Sequence, residues 1–352
     1  MLYPLKFIPV YKNYIWGGRN LEKLGKELPE GIVAESWELS CHPDGESIIS
    51  NGCYSGKSLS HFISEFGYEA VGTAVGVDPC WKPRDRFPLL VKLIDANDKL
   101  SVQVHPNDNY ASLNEEDKSG KSEMWYIIWA KPGAKLVYGL KQGTTKEMFE
   151  AAIKNGYVEN YLNYVEVIAG DAINIPAGLV HAIGAGIVLA EVQQNSNNTY
   201  RVYDYERIDK AGNKRPLHIN KALDVINFDE MNKSNELFTS NKQNVFSALF
   251  GANKLNTREG RSPYIKNQIV SLVNNQYFNV ELLSIQGQIK EVADGSRFYI
   301  YLFIDGEGVI EQPKSISDDI IKIKTGETVF IPAAMGNYTI SGRFTAIRAY
   351  VP

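Results

Sequence analysis

GDAINIPAGLVH, residues 170–181, decides the fold of this chain. A glycine opens it, a short strand-like run follows, Pro176 and Gly178 turn the backbone, and His181 stands at the start of what comes next. Two earlier segments complete the picture. SVQVHPND (101–108) carries Gln103 and His105, and GKSEMWY (120–126) carries Glu123. Gln103 and His105 are two apart, so in a strand they point to one face. Glu123 projects from a neighbouring strand, MWYIIWA, and the turn at Pro176 and Gly178 places His181 opposite the others. Imidazole, carboxylate and carbonyl oxygen are ligands that suit a borderline divalent cation such as zinc. The chain has five histidines, and two of them fall in these segments. The reading is a metal site inside a small β-barrel.

The spacing G-x5-P-x-G-x2-H resembles the second motif of the cupin superfamily. Ala185 stands where that motif usually has an asparagine, Gln103-Val104-His105 replaces His-x-His, and Glu123 comes eighteen residues after His105, later than in most cupins. Alone, this resemblance implies a fold class and no function.

Length and composition set the frame. At 352 residues the chain exceeds the usual single core, which predicts two domains. Hydrophobic residues make up 44% and charged residues 22%, as in ordinary globular proteins. The net charge of −4 with no basic run does not indicate a nucleic-acid surface. No stretch approaches the ~20 apolar residues that span a bilayer, and MLYPLKFIPVYKNYIWGG does not read as a signal peptide. Cys41, Cys53 and Cys80 are odd in number and lack CxxC spacing, against a disulfide framework or a cysteine metal site. The expectation is a soluble cytoplasmic protein with no nucleic-acid or membrane partner; the oligomeric state is not legible.

Short β-branched or aromatic runs dominate, among them FPLLVKLI, MWYIIWA, GIVLAEVQQ, FNVELLSI and RFYIYLFI. Four helices interrupt them: SLSHFISEFG, a short one from Asn107–Asp108, TTKEMFEAAIKNG and LHINKALDVINFDE. The polar stretch 228–244 marks a domain boundary, dividing the chain into 1–235, a metal-binding catalytic jelly roll with helical insertions, and 236–352, a second jelly roll without metal. GETVFIPAAMGN repeats Gly170 and Pro176 as Gly326 and Pro332, with Asn337 in the place of His181. The fold class is thus all-β with helical excursions, in two cupin-like barrels.

Longer segments carry a narrower resemblance. NYIWGGRNLEKLG (13–25), LLVKLIDANDKLSVQVHPND (89–108), GKSEMWYII (120–128) and IPAGLVHAIGAGIVLAEVQQNSNNTYRVYDYER (175–207) resemble type I mannose-6-phosphate isomerase in its short bacterial form. The resemblance implies one zinc held by His105, Glu123 and His181 with Gln103 as a further ligand, and a catalytic arginine at Arg201. It implies interconversion of mannose 6-phosphate and fructose 6-phosphate.

Such a reaction moves a proton between C1 and C2 through an enediol, and negative charge develops on oxygen. A metal with an open position and a nearby cation such as Arg201 both answer that need. Lys92 and Lys121 are candidates for substrate binding, Lys121 because it shares a face with Glu123. Each has a plainer reading. Gln103 would orient a ligand rather than bind metal, Arg201 would be a strand-edge charge, Lys92 a structural ion pair and Lys121 a solvated lysine. His42, His61 and His218 have no matching partners, and QQNSNNTY (193–200) reads most simply as a polar loop or strand. The general base stays open, as does the choice among zinc, manganese, iron and cobalt. Rival functions are a non-catalytic, metal-containing sugar-phosphate-binding protein and an isomerase or epimerase of another sugar phosphate.

Overall fold

The structure, a computed structural model, describes residues 2–76, 87–208, 212–228, 267–313 and 320–352. Cys80 lies outside them, as does the expected boundary at 228–244 apart from Phe228.

All four expected helices form. Leu59–Phe66, Asp108–Asn114 and Lys146–Asn155 each begin on a capping side chain, Ser58, Asn107 and Thr145, that accepts a backbone N–H of the first turn. Gly156 closes the third with φ near +77°, a conformation glycine adopts without strain. Ile219–Val225 is the fourth.

Two sheets enclose the first barrel. One runs Ala172–Ile175, Glu123–Ala130, Ile187–Gln194, Leu89–Ala96, Glu35–Leu39, Val10–Lys12. The other runs Tyr200–Tyr203, Val102–Val104, His181–Ile183, Lys135–Leu140, Leu162–Glu166. Trp125, Ile127, Leu136, Tyr138, Ile173 and Leu189 fill the space between them. The first sheet is buried on its outer face too. There Leu89, Val91 and Leu93 pack with Phe278, Val280, Phe298 and Phe330 of the second unit. Burial on both faces explains why LLVKLIDA reads as a continuous apolar run rather than an alternating one, with every residue buried. Its two charged residues are also buried: Lys92 faces inward, and Asp95 accepts from the Asn20 backbone N–H and side-chain amide.

The second unit is built on three long strands, Asn279–Ala293, Tyr299–Glu311 and Gly336–Tyr350. Strands of 13 to 15 residues must bend to close a barrel, and glycines sit at the bend. Gly287, Gly342 and Gly308 lie opposite one another across the three strands. A Cβ on Gly342 would stand 2.4 Å from the Glu307 carbonyl oxygen, and one on Gly308 would stand 2.3 Å from that of Ser341.

The repeat read from sequence is structural. Gly170 N–H donates to Ile127 O and Ile127 N–H to Asp171 O, at 2.8 and 2.9 Å; Gly326, Phe303 and Glu327 make the same two bonds at 2.7 and 2.9 Å. Both glycines are left-handed and both lead into a strand. One equivalence is corrected. Asn337 is exposed, and the inward residue is Tyr338, whose hydroxyl meets that of Tyr301 at 2.9 Å. A slip of one position turns every side chain of a strand to the opposite face. The chain also crosses between units: Leu5–Ile8 pairs with Thr328–Ile331, so the N-terminal strand belongs to the second sheet.

Candidate metal centre

Two cross-strand rows face each other inside the first barrel. In one sheet Arg201, Gln103, His181 and Tyr138 stand side by side on neighbouring strands. In the other the row is Trp37, Lys92, Glu191, Trp125 and Ile173. Residues opposite one another in a sheet share a face, so register alone aims each row at the barrel axis. Trp125 meets His181 edge-on across the gap, ring centroids 5.4 Å apart. His105, two residues beyond Gln103, and Glu123, at the start of its strand, close the group.

His105, Glu123 and His181 are all buried, and their ligand atoms lie within 4.8 Å of one another. The Nδ1 atoms of both histidines donate to backbone carbonyls, His105 to Asn198 O and His181 to Leu179 O, each at 2.8 Å. Carbonyl oxygens only accept, which fixes the tautomers and leaves both Nε2 atoms as lone-pair donors. These stand 3.1 Å apart, and His105 Nε2 is 3.2 Å from Glu123 Oε1. Lys121 Nζ reaches His105 Nε2 at 3.3 Å and pairs with Glu123 Oε1 at 2.7 Å, while Glu123 Oε2 accepts no hydrogen bond. The Lys121 ammonium offsets part of this group, but the two Nε2 lone pairs and Oε2 still converge, and imidazole, imidazole and carboxylate form a common divalent-metal set. The residues fit a metal ion. Gln103 is adjacent, its amide 3.4 Å from His181 Nε2.

Electrostatics agree. Burial, then the Lys121 charge, holds His105 neutral down to about pH 3 despite Glu123. Burial likewise lowers His181. Burial works to raise Glu123, but Lys121 and the two histidines outweigh it and keep the carboxylate ionised well below its usual range. Neutral imidazoles and an ionised carboxylate are the forms that bind metal.

A cavity of 280 Å³ opens beside the triad, lined among others by Tyr14, Trp16, Lys92, Gln103, Lys121, Glu191, Arg201 and Arg215. It lies near the lower end of small-molecule sites, about 300 Å³. Lys92 is buried between Glu191 at 3.2 Å and Glu35 at 3.6 Å. Trp37 and Trp125 donate their indole N–H groups to Glu35 and Glu191. Burial works against the Lys92 charge, but the two carboxylates reverse that and raise its pKa. Burial and the Glu123 charge raise Glu191. A larger cavity, 960 Å³, lies beside His42, Asp44, Asp117 and Tyr277; the metal-ligand triad and Arg201 do not line it.

Arg201 is held at three points: Nε to Ser101 Oγ at 3.2 Å, a terminal N–H to Pro216 O at 2.8 Å, and its backbone N–H to His218 Nδ1 at 3.2 Å. Tyr205 and Glu206 both take left-handed backbone, turning the chain so that Asp204 collects Arg207 and Arg215 at 2.6 and 2.5 Å. Arg207 also lies 3.7 Å from Asp98, so three arginines stand against two carboxylates and leave a net positive charge. Burial and the neighbouring Arg215 accordingly lower the Arg201 pKa.

The structure therefore brings Gln103, His105, Glu123, His181, Arg201, Lys92 and Lys121 into one place. Lys92 lines the cavity, and its ammonium pairs with two carboxylates, as the plainer of its two sequence readings has it. Sequence reasoning missed Glu35, Glu191 and Arg215. A lone glutamate in the apolar run GIVLAEV was the available signal for Glu191, because a carboxylate there needs a buried partner.

Two glycine-cornered barrels, one with an inward His–Glu–His set beside a cationic cavity, define a double cupin with one metal-competent centre among the described residues. Comparison with known proteins narrows the class. Residues 4–139 match the family model "Phosphomannose isomerase type I, catalytic domain", and residues 268–351 match "Mannose-6-phosphate isomerase, cupin domain". The mannose-6-phosphate isomerase ManA of Bacillus subtilis is 35% identical over 96% of both chains. The mannose-6-phosphate isomerase of Streptococcus mutans is 43% identical over 60% of this chain and 64% of its own. The crystal structure of mannose 6-phosphate isomerase from Bacillus subtilis superposes with a TM-score of 0.78 at 33% identity, covering 98% of this chain and 99% of that one. The chain belongs to the type I phosphomannose isomerase family.

Proposed function

We propose that the chain is a zinc-dependent enzyme that interconverts mannose 6-phosphate and fructose 6-phosphate in the cytoplasm. The observation that carries this is the juxtaposition of the His105–Glu123–His181 set with a small cavity lined by Arg201, Arg215 and Lys121. A sugar-phosphate monoester carries about −1.5 to −2 at neutral pH.

His105, Glu123 and His181, with Gln103 completing the set, would hold the metal, which supplies polarisation of the sugar's carbonyl oxygen and stabilises charge developing there. Arg201 and Arg215 offer forked donors that match phosphate oxygens. Asp204 fixes Arg215, and Ser101 and Pro216 fix Arg201, so the donors are set before substrate arrives. Lys121 sits between ligand set and cavity, where an ammonium favours negative charge on a sugar oxygen. Lys92, neutralised by Glu35 and Glu191, positions those carboxylates instead of gripping phosphate. Glu191, raised by burial and the Glu123 charge and lining the cavity, is the candidate for carrying the C1–C2 proton.

The test is turnover of mannose 6-phosphate to fructose 6-phosphate before chelation, after it, and after zinc add-back. Loss and recovery support the reading. A zinc-loaded protein that binds fructose 6-phosphate without turnover would support a non-catalytic binder instead. Arg215→Ala should raise KM about tenfold with little change in kcat, since it touches the phosphate rather than the reacting carbons.

A further inference from the structure

The asparagine-rich loop between Gln194 and Tyr200 does more than border the cavity. Its residue Asn198 joins the metal centre to a second loop, 115–119. Asn198 O accepts the Nδ1–H of His105, the contact that leaves His105 Nε2 free for metal. Its side-chain amide donates twice across the gap, to Asp117 O at 2.7 Å and Ser119 O at 2.9 Å. Ser196 Oγ donates to the same Ser119 carbonyl at 3.0 Å and accepts the Asn198 N–H at 3.3 Å. Loop 115–119 in turn leads directly into Lys121 and Glu123. One amide thus ties the carbonyl that orients one ligand to the chain segment that delivers another.

We infer that Asn198 is the positioning residue of the metal centre. An irregular loop has no ladder to fix a carbonyl in place, so its orientation depends on side-chain ties. Asn198 supplies two donors in a fixed plane, and only an amide satisfies two carbonyls at once from that position. Releasing it frees Asn198 O to turn, and with it the plane of the His105 ring. Outer contacts of this kind are worth 10- to 100-fold in metal affinity.

The inference rests on the metal reading, and one experiment separates the two. Apoprotein would be titrated with Zn²⁺ against a chromophoric chelator, and with Co²⁺ to record its visible bands. Asn198→Ala should bind Zn²⁺ about 10- to 100-fold more weakly and show altered Co²⁺ bands. Ser196→Ala should weaken binding in the same direction by less. Asn197→Ala, whose amide bonds Asp44 and not the ligand-bearing segment, should keep wild-type metal affinity. Wild-type protein that binds neither ion sinks the metal reading. Wild-type affinity and bands in Asn198→Ala sink the positioning role, as does equal loss in Asn197→Ala. Should Asn198→Ala fail to fold, unchanged affinity in Ser196→Ala overturns the inference on its own.

Discussion

The two barrels share a frame and invert its contents. In the first, the row Trp37, Lys92, Glu191, Trp125, Ile173 crosses five strands. In the second, the matching row is Ser271, Glu281, Arg348, Tyr301, Val329. Lysine opposite glutamate has become glutamate opposite arginine. Glu123, opposite Ile175, has its counterpart in Tyr299, opposite Ile331. The first barrel keeps space and unbalanced charge. The second closes on itself: Arg348 bridges Glu281 at 2.6 Å and Glu291 at 2.9 Å, and Tyr301 and Tyr338 fill the axis. The first unit also bonds to its backbone: Ala333 and Ala334 donate to Ala70 and Glu69, and Ala74 donates to Ser296. A barrel survives such exchange provided charges stay paired along a row; the frame holds while the chemistry goes.

The sharpest break in that comparison is His181→Ala. It should lose the metal and at least ~10³-fold in turnover, about 4 kcal/mol, read by metal content and isomerase assay. A metal-loaded, active variant would move the centre elsewhere.

Arg348→Met should do the reverse, costing about 2–3 kcal/mol in urea unfolding because two carboxylates lose their partner, with kcat per folded molecule unchanged. A fall in kcat at full folding would tie the second barrel to catalysis.

Acid should act on the first barrel of metal-stripped protein. The folded pKa values of His105, His181 and Glu123 are all lowered. The unfolded chain therefore takes up protons first, and stability present above about pH 6.5 is lost as pH falls. The histidines act from about 6.5 downward, Glu123 only below about 4.5. A loss of order 2 kcal/mol at pH 5 relative to pH 7 should appear as a lower melting temperature. No change would mean the imidazoles are charged in the fold.

Smallest of all, Asn337→Ala should stay within about 0.5 kcal/mol, since the residue faces solvent. A large effect would restore Asn337 to the barrel interior and undo the register described for Tyr338.

Much of the centre was legible because its signals are local. Gln103 and His105 share a face by alternation, and Pro176 and Gly178 mark the turn before His181. Arg201 was reached through the family resemblance of its TYRVYDY segment, the helix at TTKEMFEAAIKNG through its opening threonines and closing glycine, and that at LHINKALDVINFDE through its apolar face. What stayed hidden depends on pairing between distant strands. Nothing near Lys92 in sequence announces Glu35 or Glu191; only a three-strand register makes them neighbours. Arg215 lies fourteen residues after Arg201, a spacing that no periodicity turns into a contact. Asn337 was misplaced because spacing alone cannot detect a one-residue slip between PAGLVH and PAAMGN. Leu5–Ile8 looks like any short strand, and nothing in it names a partner near the far end of the chain.

That last pairing bears on how the molecule comes into being. Leu5 is matched to Phe330, more than three hundred residues later. At ~5–20 residues per second, the first strand waits tens of seconds after synthesis for the strand that completes it. Until then its edge and the outer face of the Leu89–Ala96 sheet are both uncovered, in a topology whose distant contacts already favour slow folding. Newly made chains are thus most exposed to misassociation in the interval before their final strands emerge.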